Sequence, residues 1–262
     1  MKKISAFLIL ITAVFCFRSD AQSNMVTMPP IEPGVSLELA KWRAAHYSDI
    51  RYKLNLTLEK MSPVVKGTIE IRVNVSEPPA SARGKMAGGE TPPIILDWRR
   101  IAGHEEKSTV SNVSVNGKLV SLSTNWPPAD AGGSDFNEHL IFRDGVRLGE
   151  NVIKLDFTSP ILTSGSAITR YVGKEDGSEY IYSLFVPSDA STAFPVFDQP
   201  DLKARFELTT NVPMMDGGAT WKIISNSPLT TRRVGSLYGP HDPRHGDAKF
   251  GGEIPWVTTE FA

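Results

Sequence analysis

The residues whose types could do chemistry are few, and their spacing argues against most of the chemistry they could do. His104-Glu105-Glu106 opens like the H-E-x-x-H zinc motif, but Ser108 stands where the second imidazole must fall. The surrounding GHEEKS stretch is polar, lacks helical apolar spacing, and reads as a solvated loop. His241 and His245 lie four apart in HDPRH, yet Pro243 between them opposes the helix that would put both on one face. A tetrahedral zinc would need further ligands besides these two. Asp198 and Asp201 could form an acid–base pair. They flank Pro200 in a turn-like segment, so accepting local backbone N–H groups is the expected job. G-x-G-x-x-G, G-x-x-x-x-G-K-[ST] and G-x-S-x-G are absent, which removes phosphate cradles and the nucleophile elbow. No self-contained active site emerges.

The elements that would position these residues follow from composition and pattern. Of 262 residues, 40% are hydrophobic and 22% charged, enough apolar material for a core. A net charge of -1 gives no basic excess, so a nucleic-acid binder held mainly by phosphate contacts is not expected. Cys16 is the single cysteine, which excludes an intrachain disulfide and every multi-Cys zinc site. Lys2 and Lys3 precede an apolar run from Ile4 to Phe17, and Ser19-Asp20-Ala21 offers small residues at the exit. Residues 1–21 therefore read as a signal peptide, with a secreted or periplasmic product and no membrane span after cleavage.

Residues 22–36 are polar and Pro-rich and read as a linker. Ser36 is the expected N-cap of a short helix ending at His46. The period then switches to two: Ile50, Tyr52, Leu54, Leu56 and Leu58 alternate with polar residues, as do Ile69, Ile71, Val73 and Val75. Such alternation predicts two long antiparallel strands with one face buried. Further strands are expected at Ile94–Trp98, Val110–Val115, His139–Phe142, Ile153–Phe157, Tyr180–Val186, Ala204–Val212 and Trp221–Ser225. Asn116-Gly117 predicts a two-residue hairpin, because both residues tolerate positive φ. The expected fold is all-β: a saddle-like antiparallel β-sandwich with a short N-terminal helix. The Pro/Gly-rich loops 77–93 and 126–133 are where such a sandwich would carry a ligand.

The most informative stretch is Tyr180 to Phe206, YIYSLFVPSDASTAFPVFDQPDLKARF. It resembles the segment closing the N-terminal domain of the aminopeptidase N family of zinc metallopeptidases, approximately T-Q-F-E-P-x-D-A-R-R-x-F-P-C-F-D-E-P-x-x-K-A. Phe185, Pro187, Asp189, Ala190, Phe194, Pro195, Phe197, Asp198, Pro200, Lys203 and Ala204 match in fixed register. Weaker matches flank it in order: Leu39-Ala40 with Arg43 and Tyr52, Arg170-Tyr171 with EDGSEY as a lead-in hairpin, and WKIISNSPL at Trp221–Leu229. The likeness covers residues 37–229.

That resemblance implies a saddle-shaped β-domain preceding a thermolysin-like catalytic domain. Zinc, its H-E-x-x-H…E ligands and the G-x-M-E-N substrate loop belong to the catalytic domain. Neither H-E-x-x-H nor G-x-M-E-N occurs in this chain, so no cofactor and no peptide hydrolysis are expected of it alone. In the family the T-Q-F-E-P segment lines the first substrate subsite. Leu184 stands at its Gln and Val186 at its Glu. A valine cannot pair with a substrate ammonium, so no catalytic role is carried over. Leu184 and Val186 share a strand face with Tyr182 and read as packed core. Asp189 is expected to cap the turn that follows it, and Asp198 to accept from the Phe197–Asp201 turn. Pro195 and Pro200 hold φ fixed on both sides of Phe197.

After Leu229 the likeness stops, and residues 230–262 read as an irregular tail of a truncated or frame-shifted copy. Two functions follow. One is the non-catalytic β-domain of an exported zinc aminopeptidase, with a structural and substrate-channel role. Its partners would be a separate or lost catalytic domain and peptide. The alternative is an independent secreted β-sandwich that binds a protein, peptide or glycan.

Overall fold

The computed structural model describes residues 28–77, 91–121, 138–214, 220–235 and 256–261. In chain order these form helix α1 (Leu37–His46) and strands β1 (Tyr47–Thr57), β2 (Val64–Val75), β3 (Ile94–Asp97), β4 (Thr109–Val115) and β5 (Lys118–Leu119). Strands β6 (His139–Phe142), β7 (Gly149–Pro160), β8 (Ile168–Val172), β9 (Glu179–Ser183), β10 (Ala204–Pro213), β11 (Leu229–Gly235) and β12 (Trp256–Phe261) follow. The fold is all-β with a short N-terminal helix, as the alternation requires.

Ser36 caps α1 through its hydroxyl, which accepts from the Leu39 N–H at 3.1 Å. Leu39, Trp42, Arg43 and His46 form the buried face of that helix. The chain then runs straight into β1, whose Tyr47, Ile50, Tyr52 and Leu54 are buried. β1 and β2 are antiparallel, with Leu54 opposite Ile69 and Tyr52 opposite Ile71. β2 in turn pairs with β7 along its whole length. At Gly67 the side chain must be absent. A Cβ there would lie 2.3 Å from Cζ of Phe157, its partner across the strand pair. Asn116 and Gly117 take φ of 52° and 81° and turn β4 into β5, as their types predict.

The main sheet has eight strands in the order β11-β12-β10-β1-β2-β7-β4-β5. One pairing departs from the antiparallel expectation: β10 lies parallel to β1, with Tyr52 opposite Phe206. β3 and β6 form a second ladder, and β8 and β9 a hairpin. The core joins Ile69, Ile71, Ile153 and Leu155 of the main sheet to Ile94, Ile95 and Leu96 of β3 and to Phe194 and Phe197. All four residues of β3 are buried.

Three sequence expectations need correction. Residues 28–36 carry no regular structure, yet they do not hang free. Pro29 is buried, and Met28 and Ile31 pack on the core. Within the tail, β11 and β12 are strands. In WVTTEF the buried residues are Val257, Thr259 and Phe261, so threonine fills an inward position that reads as polar in the sequence. Trp221–Ser225 is not a strand. His241 and His245, and residues 1–27, 78–90 and 122–137, lie outside the described residues. No helix among those described is long and apolar enough to cross a membrane.

Candidate functional site

A buried carboxylate anchors the end of the Leu184–Pro200 segment at Asp198. Asp97, at the end of β3, accepts from Arg43 Nη1 at 2.9 Å and Nη2 at 2.6 Å, a two-pronged ion pair sealed from solvent. Its Oδ1 lies 2.8 Å from Nδ1 of His139 on β6. Its Oδ2 also accepts the Asp198 N–H at 2.8 Å. Burial alone would raise the carboxyl's pKa, but the contacts with His139 and Arg43 outweigh it and hold it below the ordinary range. His139 Nε2 donates to the carbonyls of Glu32 and Gly34, at 2.9 and 3.0 Å, which docks the 28–36 segment.

Around this centre the aromatic residues fix the motif. The Tyr52 hydroxyl accepts the Phe197 N–H at 3.0 Å. The Arg43 guanidinium carbon stands 5.8 Å from the Phe197 ring centre. Tyr47 donates to the Pro93 carbonyl at 2.6 Å and accepts from the Ile95 N–H. Burial pushes both phenols up in pKa, so they act as neutral hydrogen-bonding struts. Gln199 is buried and donates to the Ala40 carbonyl of α1.

The motif residues divide between core and surface. Phe194, Pro195 and Phe197 are buried, whereas Pro187 and Pro200 are exposed and Phe185 lies at the boundary, its ring edge-on to Phe194 at 5.6 Å. Asp189 occupies the N-cap position of the short turn Ala190–Thr192, but its carboxylate makes no cap. It pairs with Arg99 instead, correcting the expected role. The cap comes from Asp198, whose Oδ2 accepts the Ser191 N–H at 3.0 Å rather than serving its own turn. Arg99 lies 90 residues from Asp189, beyond the reach of a local pattern, and Ser191 lies seven residues before Asp198, outside its own turn.

The larger correction concerns Leu184 and Val186, which are 60% and 72% exposed. Tyr180 and Tyr182, on the same face, are each 54% exposed. The strand expected over Tyr180–Val186 ends at Ser183, so Leu184 follows it and Val186 falls in the turn before Ala190, and no layer of the described chain covers them. The hairpin beneath is firmly held. The Arg170 Nε donates to Glu179 at 2.6 Å, Glu179 accepts the Met61 N–H at 3.0 Å, and Ala167 accepts the Leu184 N–H at 2.8 Å. Tyr171 adds its exposed ring beside Tyr180, at 6.1 Å between centres. The result is an anchored, outward-facing strip of apolar and phenolic surface leading into the buried motif.

Among the described residues the donor set does not fit a zinc ion. Among the described residues no three His, Cys, Asp or Glu side chains converge. The one buried carboxylate beside a histidine already has both oxygens engaged. His104, the other candidate, flanks a short turn at Glu105–Lys107, and its Nδ1 accepts from Lys107 Nζ at 2.9 Å. No metal-dependent step is derived from the described residues.

The family profile of the Peptidase M1 N-terminal domain matches residues 89–236, more than half of the sequence. The chain belongs to that family. The match runs through β11 and past Leu229, where the motif likeness ends. Aminopeptidase N of Streptomyces lividans is 31% identical over 120 residues, covering 46% of this chain and 12% of that protein. Aminopeptidase M1-B of Oryza sativa subsp. japonica is 34% identical over 101 residues, covering 38% of this chain and 11% of that protein. The matched part of this M1 N-terminal domain thus spans about a tenth of those curated relatives. Among solved structures, the M1 zinc metallopeptidase from Deinococcus radiodurans is similar at 18% identity and a TM-score of 0.49, covering 82% of this chain and 38% of that one.

Proposed function

We propose that this M1 N-terminal domain is a non-catalytic partner of a zinc-aminopeptidase catalytic domain. In this reading the strip Tyr180, Tyr182, Leu184 and Val186 is laid against that domain beside its substrate channel. The observation that carries the reading is that Tyr180 and Tyr182 of β9, with Leu184 and Val186 just beyond its end, are all more than half exposed beside a hairpin tied down through Glu179 and Leu184. A contiguous run of solvent-facing apolar side chains marks an interaction surface. The same segment holds the motif shared with the family, so the exposed strip and the family likeness fall on one place. Substrate ammonium recognition is left to the partner, since Val186 offers no carboxylate. The domain's contribution is then a shaped apolar wall and mechanical support, and the family's removal of N-terminal residues from peptides depends on a zinc site outside the described residues.

The test combines the full chain with a separately produced M1-type catalytic domain, followed by size-exclusion chromatography with light scattering. A one-to-one complex that Val186→Asp abolishes, with no hydrolysis of an alanyl peptide substrate by the chain alone, supports the reading. Turnover by the chain alone, or association indifferent to Val186→Asp, overturns it. A monomer that binds no catalytic domain would instead fit an independent secreted module.

A further inference from the structure

Strand register decides which charges become neighbours on the outward face of the main sheet. At the level of Lys53 the row across β10, β1, β2 and β7 reads Glu207, Lys53, Glu70, Lys154. Signs alternate, and Lys53–Glu207 and Lys154–Glu70 close at 3.0 and 2.9 Å. Two residues away along β1 the row reads Arg205, Arg51, Arg72, three guanidinium groups on adjacent strands. Like charges directly opposite one another destabilise a sheet. Arg51 offsets this partly through Asp49, and Arg72 through Glu70 and Glu150 at 2.8 and 3.3 Å. The Arg205 side chain has no ion pair or hydrogen bond among the described residues.

A cleft of about 440 Å³ lies over this row, lined by Arg51, Tyr52, Lys53, Arg72, Arg205 and Glu207. Arg51 and Arg205 are exposed, while their neighbours Tyr52, buried, and Phe206, 44% exposed, turn by strand alternation to the opposite face and stack there. The sheet therefore separates this cleft from the core and from the Phe185–Phe194 motif.

We infer that the Arg205–Arg51–Arg72 row is a binding site for a phosphate or sulfate group carried on a small polar molecule. A guanidinium presents its donors in a planar fork that matches the oxygens of a tetrahedral anion, and all five N–H groups of Arg205 are available for it. A bound dianion turns mutual repulsion within the row into attraction from three sides. The cleft is several times larger than the bare anion, and the Lys53 and Glu207 side chains give its remaining wall donors and acceptors for hydroxyl groups. Because the row is open to solvent, binding weakens as salt is raised. The inference stands apart from the proposed docking role, which uses another face.

The experiment measures thermal unfolding and isothermal titration of the full chain with inorganic phosphate, inorganic sulfate and a hexose monophosphate. Chloride at matched ionic strength is the control. Phosphate or sulfate is expected to raise Tm where chloride does not, and the hexose monophosphate to bind more tightly than the bare anions. Arg205→Gln should weaken binding at least tenfold while leaving Tm without anion unchanged or higher, since repulsion is relieved. Lys66→Gln, which removes an exposed cation on another part of the sheet, should leave the response intact. A response no greater than that to chloride, retention of affinity by Arg205→Gln within twofold, or equal loss in Lys66→Gln overturns the site. Equal affinity for hexose monophosphate and free phosphate overturns the assignment of the rest of the cleft to a carrier.

Discussion

Replacing Asp97 with alanine tests the centre of the fold. The wild-type carboxylate neutralises an Arg43 side chain with 0% exposure, contacts His139 and accepts the Asp198 N–H. Alanine removes all of these at once and leaves a guanidinium sealed in an apolar surround with nothing to balance it. Breaking a buried pair from one side costs about 3–5 kcal/mol, far more than an exposed pair contributes. Against a total stability of roughly 5–15 kcal/mol, that loss puts the variant near the edge of folding at 37 °C. At about 2–4 °C per kcal/mol for a chain of this size, Tm should fall by roughly 6–20 °C. Urea unfolding at pH 7 gives the free-energy difference directly, read by tryptophan fluorescence because Trp42 and Trp98 are both buried. The double variant Arg43→Met with Asp97→Leu should regain most of the loss, since a well-packed apolar pair of similar volume replaces a buried ion pair at little cost. A loss under about 1 kcal/mol for Asp97→Ala would refute the reasoning, because a carboxylate so easily spared cannot be the sole counter-charge of Arg43.

Other perturbations separate the remaining contributions. Gly67→Ala should destabilise by about 1–3 kcal/mol or more, because the new methyl meets the Phe157 ring and the Asn55 carbonyl, and Phe157→Leu should recover part of that in urea unfolding. Ser36→Ala should cost about 1 kcal/mol through loss of the cap on α1, and Ser36→Asp should not. Val186→Asp should change the stability of the chain alone by less than about 0.5 kcal/mol, since the side chain is exposed. Acid should act in two stages. Burial lowers the His46 pKa below 6.5 despite its bond to the Trp42 carbonyl, so the unfolded chain takes up that proton first and stability falls as pH drops below about 6.5. Asp97 lies below its ordinary 3.8, so its contribution is complete above that value and is lost as pH falls further. The urea midpoint measured from pH 8 to pH 3 should show both stages, and His46→Gln should flatten only the first.

What the sequence made legible was whatever depends on near neighbours. The alternation from Ile50 to Leu58 and from Ile69 to Val75 puts every second side chain inward, and β1 and β2 follow it. Asn116-Gly117 gave its turn because the two residues carry the positive φ themselves. Ser36 capped its helix within one turn. What remained hidden depends on long-range pairing. Arg43, Asp97 and His139 meet across 54 and 42 residues, and no local pattern announces that meeting. Thr259 is buried although its type reads as polar, which concealed β12. For Leu184 and Val186 the period implied a strand that ends before them, at Ser183, and carried no information on whether anything covers them. Their exposure turned a packing expectation into the main functional clue.

The parallel contact between β1 and β10 has a consequence for how the chain matures. Ile50 finds its neighbour Ala204 only after about 150 further residues have been made, and β1 keeps one side of its backbone unpaired until then. Contacts of such sequence separation slow folding and prolong the life of half-assembled species. A product stopped before residue 213 would present a long, unguarded sheet edge to its copies, a template for aggregation. Synthesis through β10 is thus the threshold at which the centre of the sheet can first close.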